Sequence, residues 1–96
     1  MAKGYWIAAL DIEDGESFAR YGPLSTRAVE AYGGRFLVRG GRSEQKEGSG
    51  RARYAVVEFD SYDTALACLR SADYQAAAKV RHASAASDVV IVEGVA

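Results

Sequence analysis

Apolar residues along the chain fall into two patterns. Four short runs are rich in β-branched and aromatic residues, as is typical of β-strands. They cover residues 4–12, 35–39, 54–59 and 88–94. The first run is apolar at nearly every position, which indicates a strand buried on both faces.

Between these runs, apolar residues recur at helical spacing. A first helix is predicted over residues 16–32, with Asp14 as a candidate N-cap and a kink or restart expected at Gly22-Pro23. Glycine readily adopts the left-handed conformation that closes a helix, so Gly33 and Gly34 are expected to end it.

Two further helical segments follow the third strand. Ser61 and Ser71 each precede a run of good helix formers and are expected to cap those segments, which extend to about residues 70 and 86. Cys68 lies in the first of the two, where a small buried side chain is expected rather than a reactive thiol.

The order strand, helix, strand, strand, helical pair, strand predicts an α+β protein with the ferredoxin-like split βαββαβ fold. Right-handed crossovers then place all helices on one face of a four-stranded antiparallel sheet. No linker or repeat interrupts the order, so residues 3–94 are predicted to form a single domain.

Both faces of the predicted sheet are apolar. In the first strand, one face carries Tyr5, Ile7 and Ala9 and the other carries Trp6, Ala8 and Leu10. Helices cover only one face, and soluble monomers rarely expose a large apolar surface. The pattern therefore predicts a homodimer in which two sheets pack together as a dimeric α/β barrel. The alternative is that the chain ends or the 40–53 loop cover this face.

Charge and composition exclude several classes of function. The 96 residues carry 12 Lys and Arg against 13 Asp and Glu, which disfavours a dedicated nucleic-acid or membrane-surface binder. One Cys and one His cannot supply the four ligands of a structural zinc site, so no metal is predicted. No cofactor motif is present, and a single cysteine without a secretory signal predicts a cytoplasmic protein.

RNA binding is the alternative use of a bare ferredoxin-like face. The run 53–59 partly fits the longer motif of RNA-recognition modules, in which aromatic side chains stack on bases. However, Arg53 replaces its glycine and Val56 replaces a stacking aromatic. With a slightly acidic chain as well, no nucleic-acid partner is predicted.

The strongest charge asymmetry lies in residues 33–53, which contain six basic residues against two glutamates. A glycine-rich turn with arginines can hold a phosphate or carboxylate, but "RGGRSEQKEG" matches no phosphate-binding fingerprint. A solvated hairpin loop is the simpler interpretation. Arg39, at a strand end, is retained as a candidate anion-binding residue. Glu44 is kept as another candidate ligand-binding residue from this segment.

Another candidate binding site lies on the last predicted helix, where Tyr74 and Arg81 share one stripe of small apolar residues. In the structural interpretation Arg81 pairs with Glu58. In the functional one, Arg81 and Arg39 clamp an anion between helices and sheet, with Tyr74 or His82 as a proton carrier. Glu58 and Trp6 complete the candidate ligand-binding residues.

Several segments together resemble a small bacterial family called domain of unknown function 1330. They are "KGYWIAALDI", "AYGGRFLVRGG", "EQKEG", "VVEFDSYDTALAC" and "SADYQAA". That family is similar to the dimeric α/β-barrel superfamily, so the resemblance implies a ferredoxin-like protomer and a sheet-to-sheet dimer. The superfamily includes cofactor-free monooxygenases, muconolactone isomerases and haem-handling proteins. The family has no assigned reaction and supplies no catalytic residue. Gly22-Pro23 departs from its pattern.

The leading hypothesis is a cytoplasmic homodimer that binds a small anionic or aromatic metabolite between helices and sheet, with cofactor-free oxygenation or isomerisation as the expected chemistry. The alternative is a non-catalytic binding or structural protein in which Arg39, Glu58 and Arg81 only hold the fold.

Overall fold

The fold is seen in a computed structural model, which describes residues 2–96. Four strands and four helices follow one another along the chain. They are β1 (Gly4–Ile12), α1 (Gly15–Phe18), α2 (Tyr21–Ala31), β2 (Arg35–Arg39), β3 (Arg53–Phe59), α3 (Tyr62–Arg70), α4 (Ala72–Ser84) and β4 (Ala85–Glu93).

The strands form one antiparallel sheet in the order β2-β3-β1-β4. Trp6 in the central strand β1 is opposite Val57 on one side and Ile91 on the other, so these side chains share the face that the helices cover. This arrangement is the ferredoxin-like split βαββαβ fold, and the predicted fold class is confirmed.

Three aromatic rings form the centre of the core between the sheet and the helices. Trp6 lies 5.1 Å from Phe59 and 4.6 Å from Tyr74, measured between ring centroids. The indole Nε1 of Trp6 donates a 2.9 Å hydrogen bond to the carbonyl of Ala65 in α3. This bond satisfies the one polar atom of Trp6, so β1 is anchored to α3 without a buried unpaired donor.

The geometry at the end of α2 explains why glycine is needed at positions 33 and 34. The amide of Gly33 donates to the carbonyl of Glu30, and that of Gly34 donates to Val29, each at 3.0 Å. This is the Schellman pattern, in which Gly33 takes the left-handed conformation with φ 71°. Gly34 is required for another reason, because a Cβ there would lie 2.7 Å from the Phe59 ring.

The serine and aspartate caps are confirmed at all three predicted positions. The side chain of Asp14 accepts a 3.1 Å bond from the amide of Ser17 in α1. Ser61 and Ser71 likewise cap α3 and α4. The bond from Ser17 also holds the pKa of Asp14 below its usual value, since it favours the carboxylate.

The first helical region breaks earlier than predicted. α1 ends at Phe18 and α2 begins at Tyr21, so the break lies before Gly22-Pro23 and not at it. Pro23 is the third residue of α2, where the backbone nitrogen has no intrahelical acceptor to lose. The proline therefore stands in the first turn of a helix rather than inside one.

The last strand also begins earlier than predicted. β4 starts at Ala85, which pairs with Ile12 at the far end of β1. The carbonyl of Ser84 accepts bonds from the amides of Glu13 and Asp14 at 2.8 and 3.0 Å. These two bonds tie the end of α4 to the end of β1, and the chain turns directly into the sheet.

The other face of the sheet, here called the open sheet face, has no helix against it. Its large apolar side chains are partly exposed: Ile7 (42%), Val38 (41%), Val90 (53%) and Val92 (40%). The alternative that the 40–53 loop covers this face holds only at one end, where Arg51 bonds Asp11 at 3.0 Å and Asp88 at 2.9 Å. No helix in residues 2–96 is long and apolar enough to cross a membrane.

Candidate functional site

A cavity of about 70 Å³, here called the helix–sheet cavity, lies between the sheet and helices α1, α2 and α4. Its floor is formed by side chains on the helix-covered face: Trp6, Ala8, Leu10, Ala55, Val57 and Val89. Ala8 is directly opposite Ala55 in the ladder. Two small side chains at facing positions leave the space that larger residues would have filled, so the cavity follows from the strand sequence itself.

Three arginines line this cavity, Arg39 from β2, Arg53 from β3 and Arg81 from α4. None of the lining residues is acidic, and none of the ion pairs in residues 2–96 involves these arginines. The cavity therefore carries a concentrated positive charge that the surrounding protein does not neutralise.

Arg81 is the most buried of the three, with 6% of its surface exposed. Its Nη1 donates a 3.0 Å bond to the hydroxyl of Ser87 in β4, and its Nη2 lies 3.3 Å from Nε2 of His82. The buried Nε has no hydrogen-bond partner. A buried donor without an acceptor is rare and costs free energy, so it points to a partner that the protein does not itself provide.

Arg39 is held by contacts to α2 and β2. Its Nη2 donates to the carbonyl of Gly22 at 3.0 Å and to the hydroxyl of Ser25 at 3.4 Å, both in the first turns of α2. Its guanidinium also stacks over the ring of Phe36 at 3.9 Å. Arg39 therefore lines the cavity while part of its surface stays exposed to solvent, and α2 and β2 hold its position.

Arg53 lies against the backbone of Gly40. β3 begins one residue earlier than predicted and includes Arg53. Gly40 and Gly41 have φ values of 72° and 83°. A Cβ on Gly40 would lie 2.5 Å from Nη1 of Arg53, whereas one on Gly41 would meet nothing within 4 Å. The turn at Gly40 therefore allows the Arg53 guanidinium to lie directly against the backbone.

Two tyrosine hydroxyls form the neutral polar part of the wall. The hydroxyls of Tyr21 and Tyr74 lie 2.5 Å apart, and Arg81 lies 5.9 Å from the Tyr21 ring centroid. Burial raises the pKa of Tyr74 above its ordinary value. Tyr74 is therefore protonated at neutral pH. One proton of the pair bonds the two oxygens together, and the other remains to be donated.

Four of the seven residues proposed from the sequence line the cavity: Trp6, Arg39, Tyr74 and Arg81. His82 is exposed, and although its Nε2 lies 3.3 Å from Nη2 of Arg81, it does not line the cavity. Glu44 lies in the exposed loop and pairs with Lys46 at 2.8 Å. The cavity therefore joins the predicted arginine pair, but Glu44 and His82 are not part of its wall.

The predicted pair of Glu58 and Arg81 does not form. Glu58 lies on the open sheet face, where it bonds Arg35 and accepts a 2.9 Å bond from the hydroxyl of Tyr5. These bonds, that from Arg35 first, hold the pKa of Glu58 below its usual value. The reason is strand alternation, because Glu58 stands between Val57 and Phe59, which both point towards the helices.

Sequence reasoning missed Arg53, Tyr21 and Ser25 as cavity residues. Arg53 alternates in phase with Ala55 and Val57 along β3, and this period of two was readable in the sequence. Tyr21 and Ser25 are four residues apart and share one face of α2. Their signal was hidden by the expectation of a kink at Gly22-Pro23.

The wall thus offers cations and hydrogen-bond donors around an apolar floor. None of its lining residues is a carboxylate or an imidazole that could act as a general base. No group of three or more His, Cys, Asp or Glu side chains in residues 2–96 could hold a metal ion. The arrangement is chemically suited to binding an anion and stabilising negative charge.

Solved structures with similar folds include several proteins without a known function. A protein of unknown function from Rhodopseudomonas palustris superposes with a TM-score of 0.79 at 17% identity, covering 99% of this chain and 84% of the other. A dimeric ferredoxin-like protein of unknown function from Thermobifida fusca gives 0.62 at 18% identity, covering 99% and 92%.

SnoaB, a cofactor-independent oxygenase from Streptomyces nogalater, is also similar, with a TM-score of 0.66 at 10% identity over 96% of this chain and 92% of SnoaB. At these identities the similarity establishes the ferredoxin-like fold and not the activity. No protein with a curated description matches the chain.

The sequence itself matches one family across almost its whole length. The match covers residues 3–95, which include every strand and helix of the fold and every residue of the cavity wall. The chain therefore belongs to the family described as Domain of unknown function (DUF1330).

Proposed function

We propose that the protein binds a compact small-molecule anion in the helix–sheet cavity. The observation that carries this proposal is the convergence of Arg39, Arg53 and Arg81 on one cavity without an acidic partner. Arg81 is the buried member of the three, and a buried guanidinium is costly unless it is paired. A bound anion supplies the missing negative charge beside this guanidinium.

The alternative of a purely structural role fits the contacts less well. A structural arginine is expected to pair with a carboxylate, as Arg35 does with Glu58 on the open sheet face. Arg81 instead contacts the hydroxyl of Ser87 and the ring of His82 and keeps an unpartnered Nε. These contacts orient the side chain without neutralising it.

A thermal-shift experiment at low salt tests the binding proposal. Small carboxylates and inorganic phosphate are compared with neutral amides of the same size. An anion present at about 100 times its Kd stabilises the fold by about 2.7 kcal/mol, and each kcal/mol raises the Tm of a domain this size by about 4–8 °C. The expected result is a rise with at least one anion and none with its neutral amide.

Matched variants localise the binding. Arg81→Gln is expected to abolish the shift, whereas Arg70→Gln, at an exposed position near the end of α3, is expected to keep it. The proposal fails if no anion raises the Tm of the folded protein, or if Arg70→Gln weakens binding as much as Arg81→Gln.

A second candidate function is cofactor-free oxygenation or isomerisation of the bound anion. It is favoured by the paired hydroxyls of Tyr21 and Tyr74, which can donate a hydrogen bond to a developing enolate oxygen, with solvent water as the proton acceptor because the wall holds no general base. SnoaB, with a similar fold, is a cofactor-independent oxygenase. Oxygen consumption and proton exchange into solvent deuterium, measured for each anion that binds, test it. Absence of both for every bound anion rejects this candidate.

We also propose that two copies associate through the open sheet face. Ile7, Val90 and Val92 present a contiguous apolar surface with no helix against it, and soluble monomers rarely expose such a patch. The similar protein from Thermobifida fusca is described as dimeric. Light scattering over a hundredfold range of concentration is expected to give twice the chain mass. A monomer mass throughout rejects the proposal.

A further inference from the structure

We infer that the ligand of the helix–sheet cavity is a short-chain carboxylic acid with an oxygen on the neighbouring carbon, that is, a 2-oxo or 2-hydroxy acid. Its carboxylate binds Arg81, and its second oxygen accepts a hydrogen bond from the pair formed by Tyr21 and Tyr74. This inference rests on the proposed anion-binding function and specifies its ligand class.

The size of the cavity limits the ligand. Its volume of about 70 Å³ is about half the roughly 150 Å³ known to hold a benzene ring. On the side of α1 the space is closed by Phe18, whose ring centroid lies 5.3 Å from that of Tyr21. A cavity of this volume favours an acid of about three carbons over an aromatic acid.

The position of the carboxylate follows from which arginine is shielded from water, because Arg39 is exposed and Arg53 is only partly buried, so water can accept from their free donors. Arg39 already donates to the carbonyl of Gly22 and the hydroxyl of Ser25, so its contacts within the protein hold it in place. Arg81 lines the cavity, is almost fully buried and has an Nε without a partner. A carboxylate accepts hydrogen bonds from a guanidinium more strongly than a neutral oxygen does. Arg81 is therefore the arginine that gains most from it.

The second oxygen of the ligand is inferred from the hydroxyl pair of Tyr21 and Tyr74. The Arg81 guanidinium lies 5.9 Å from the ring centroid of Tyr21, and the hydroxyl of Tyr21 meets that of Tyr74. One hydroxyl proton of the pair is left to donate. A ligand with an oxygen on the carbon next to its carboxylate is the shortest molecule that can contact both the Arg81 guanidinium and a hydroxyl of the tyrosine pair. A plain fatty acid leaves that donor unused within the cavity.

The test uses calorimetric titration of the full-length protein with matched probes. Pyruvate and lactate are compared with propionate, which has the same three carbons but no oxygen at the second. Benzoate tests the size limit, and inorganic phosphate tests for a simple oxyanion site. Pyruvate or lactate is expected to bind at least tenfold more tightly than propionate, and benzoate and phosphate more weakly than either.

The variant Tyr74→Phe is expected to bring the affinity of pyruvate and lactate down to that of propionate, while propionate itself binds as before. If Tyr74→Phe does not fold, Tyr21→Phe removes the other half of the pair and makes the same comparison. Thr26→Val, which removes a hydroxyl of α2 that bonds the carbonyl of Gly22, is the control and is expected to keep the preference.

The outcomes separate this inference from the proposed function. If propionate equals both oxygen-bearing acids, or if benzoate or phosphate binds more tightly, the ligand class is wrong and anion binding stands. The ligand class is also wrong if the tyrosine variants keep the tenfold preference. If no anion binds at all, both proposals fail together.

Discussion

Arg81 donates a 3.0 Å hydrogen bond to the hydroxyl of Ser87, and no carboxylate in residues 2–96 pairs with it. The first prediction is that Arg81→Met does not destabilise the protein. Replacing a buried, unneutralised charge with an apolar side chain of similar length is often neutral or stabilising. We expect the free energy of unfolding in urea to stay within about 1 kcal/mol of the wild type or to rise, while anion binding is lost.

Ser87→Ala provides the opposite control. It leaves Arg81 in place and removes its acceptor, so the buried guanidinium loses a bond and stability is expected to fall by about 1–3 kcal/mol. A loss of more than about 2 kcal/mol in Arg81→Met contradicts the prediction and supports the structural role for this arginine.

The fold could be predicted because its signals are local. Asp14, Ser61 and Ser71 cap helices through their own side chains, and Gly33 ends α2 through its own backbone angle. Each signal needs only a few neighbouring residues, and together with the order of elements they specify the split βαββαβ arrangement. The break before α2 was misplaced because proline is excluded only from the interior of a helix and not from its first turn.

The site could be predicted only in part, because it depends on which face each strand residue takes. Arg39 was predicted as a site residue because it lies at the end of a strand, and Arg81 because it shares a helical stripe with Tyr74. Glu58 was paired with Arg81 although its neighbours Val57 and Phe59 are core residues, which puts Glu58 on the other face. The absence of a partner for Arg81 Nε depends on tertiary packing, and no sequence pattern predicts it.

The second prediction is that two neighbouring glycines, Gly40 and Gly41, differ in their effect on anion binding. Gly40 and Gly41 both have positive φ values, 72° and 83°, so an alanine at either costs about 1–2 kcal/mol of backbone strain. Only Gly40 lies against Arg53, where an added Cβ would come 2.5 Å from Nη1. We expect Gly40→Ala and Gly41→Ala to lose similar stability in urea, and Gly40→Ala alone to weaken anion binding by displacing Arg53.

Gly41→Ala is thus the matched control for strain in the same turn. Equal loss of affinity in both variants indicates that the turn acts only through the fold. Unchanged affinity in Gly40→Ala shows that the position of Arg53 does not matter for the ligand. Either result contradicts the role assigned to Gly40.

The third prediction concerns alkaline pH. Burial raises the pKa of the Cys68 thiol from its ordinary 9.0 to about 12, and it also raises the pKa of Tyr74. Between the unfolded and folded pKa values the unfolded chain has lost these protons while the folded chain keeps them. Stability is therefore complete below about pH 9 and falls as pH rises above it, by up to about 1.4 kcal/mol per pH unit for each group.

Cys68→Ala isolates the thiol. Urea unfolding at pH 8, 9, 10 and 11, with a reductant present, is expected to show a shallower decline for this variant than for the wild type. The variant is less stable at pH 8, since it leaves a small cavity in the core, but its disadvantage shrinks as pH rises. Parallel pH curves for the two proteins show that the folded thiol is not held protonated.

The fourth prediction tests the proposed assembly. Val90 is 53% exposed on the open sheet face and is opposite Ile7 of the central strand. In a sheet-to-sheet dimer this side chain is buried, so the carboxylate of Val90→Glu would have to lose its water without a partner, at a cost of several kcal/mol. We expect Val90→Glu to be a folded monomer by light scattering and circular dichroism, while Val95→Glu, at a fully exposed position near the C-terminus, stays dimeric.

Val90→Glu also tests whether one copy of the chain forms the complete binding site. The helix–sheet cavity is lined from the helix-covered face of the sheet, opposite to Val90. A monomeric Val90→Glu is therefore expected to bind the anion with an affinity within about threefold of the wild type, a difference of less than about 1 kcal/mol. A dimeric Val90→Glu places the interface on another surface. A monomer that has lost binding shows that the partner copy supports the cavity through the sheet, which contradicts a site built by one chain alone.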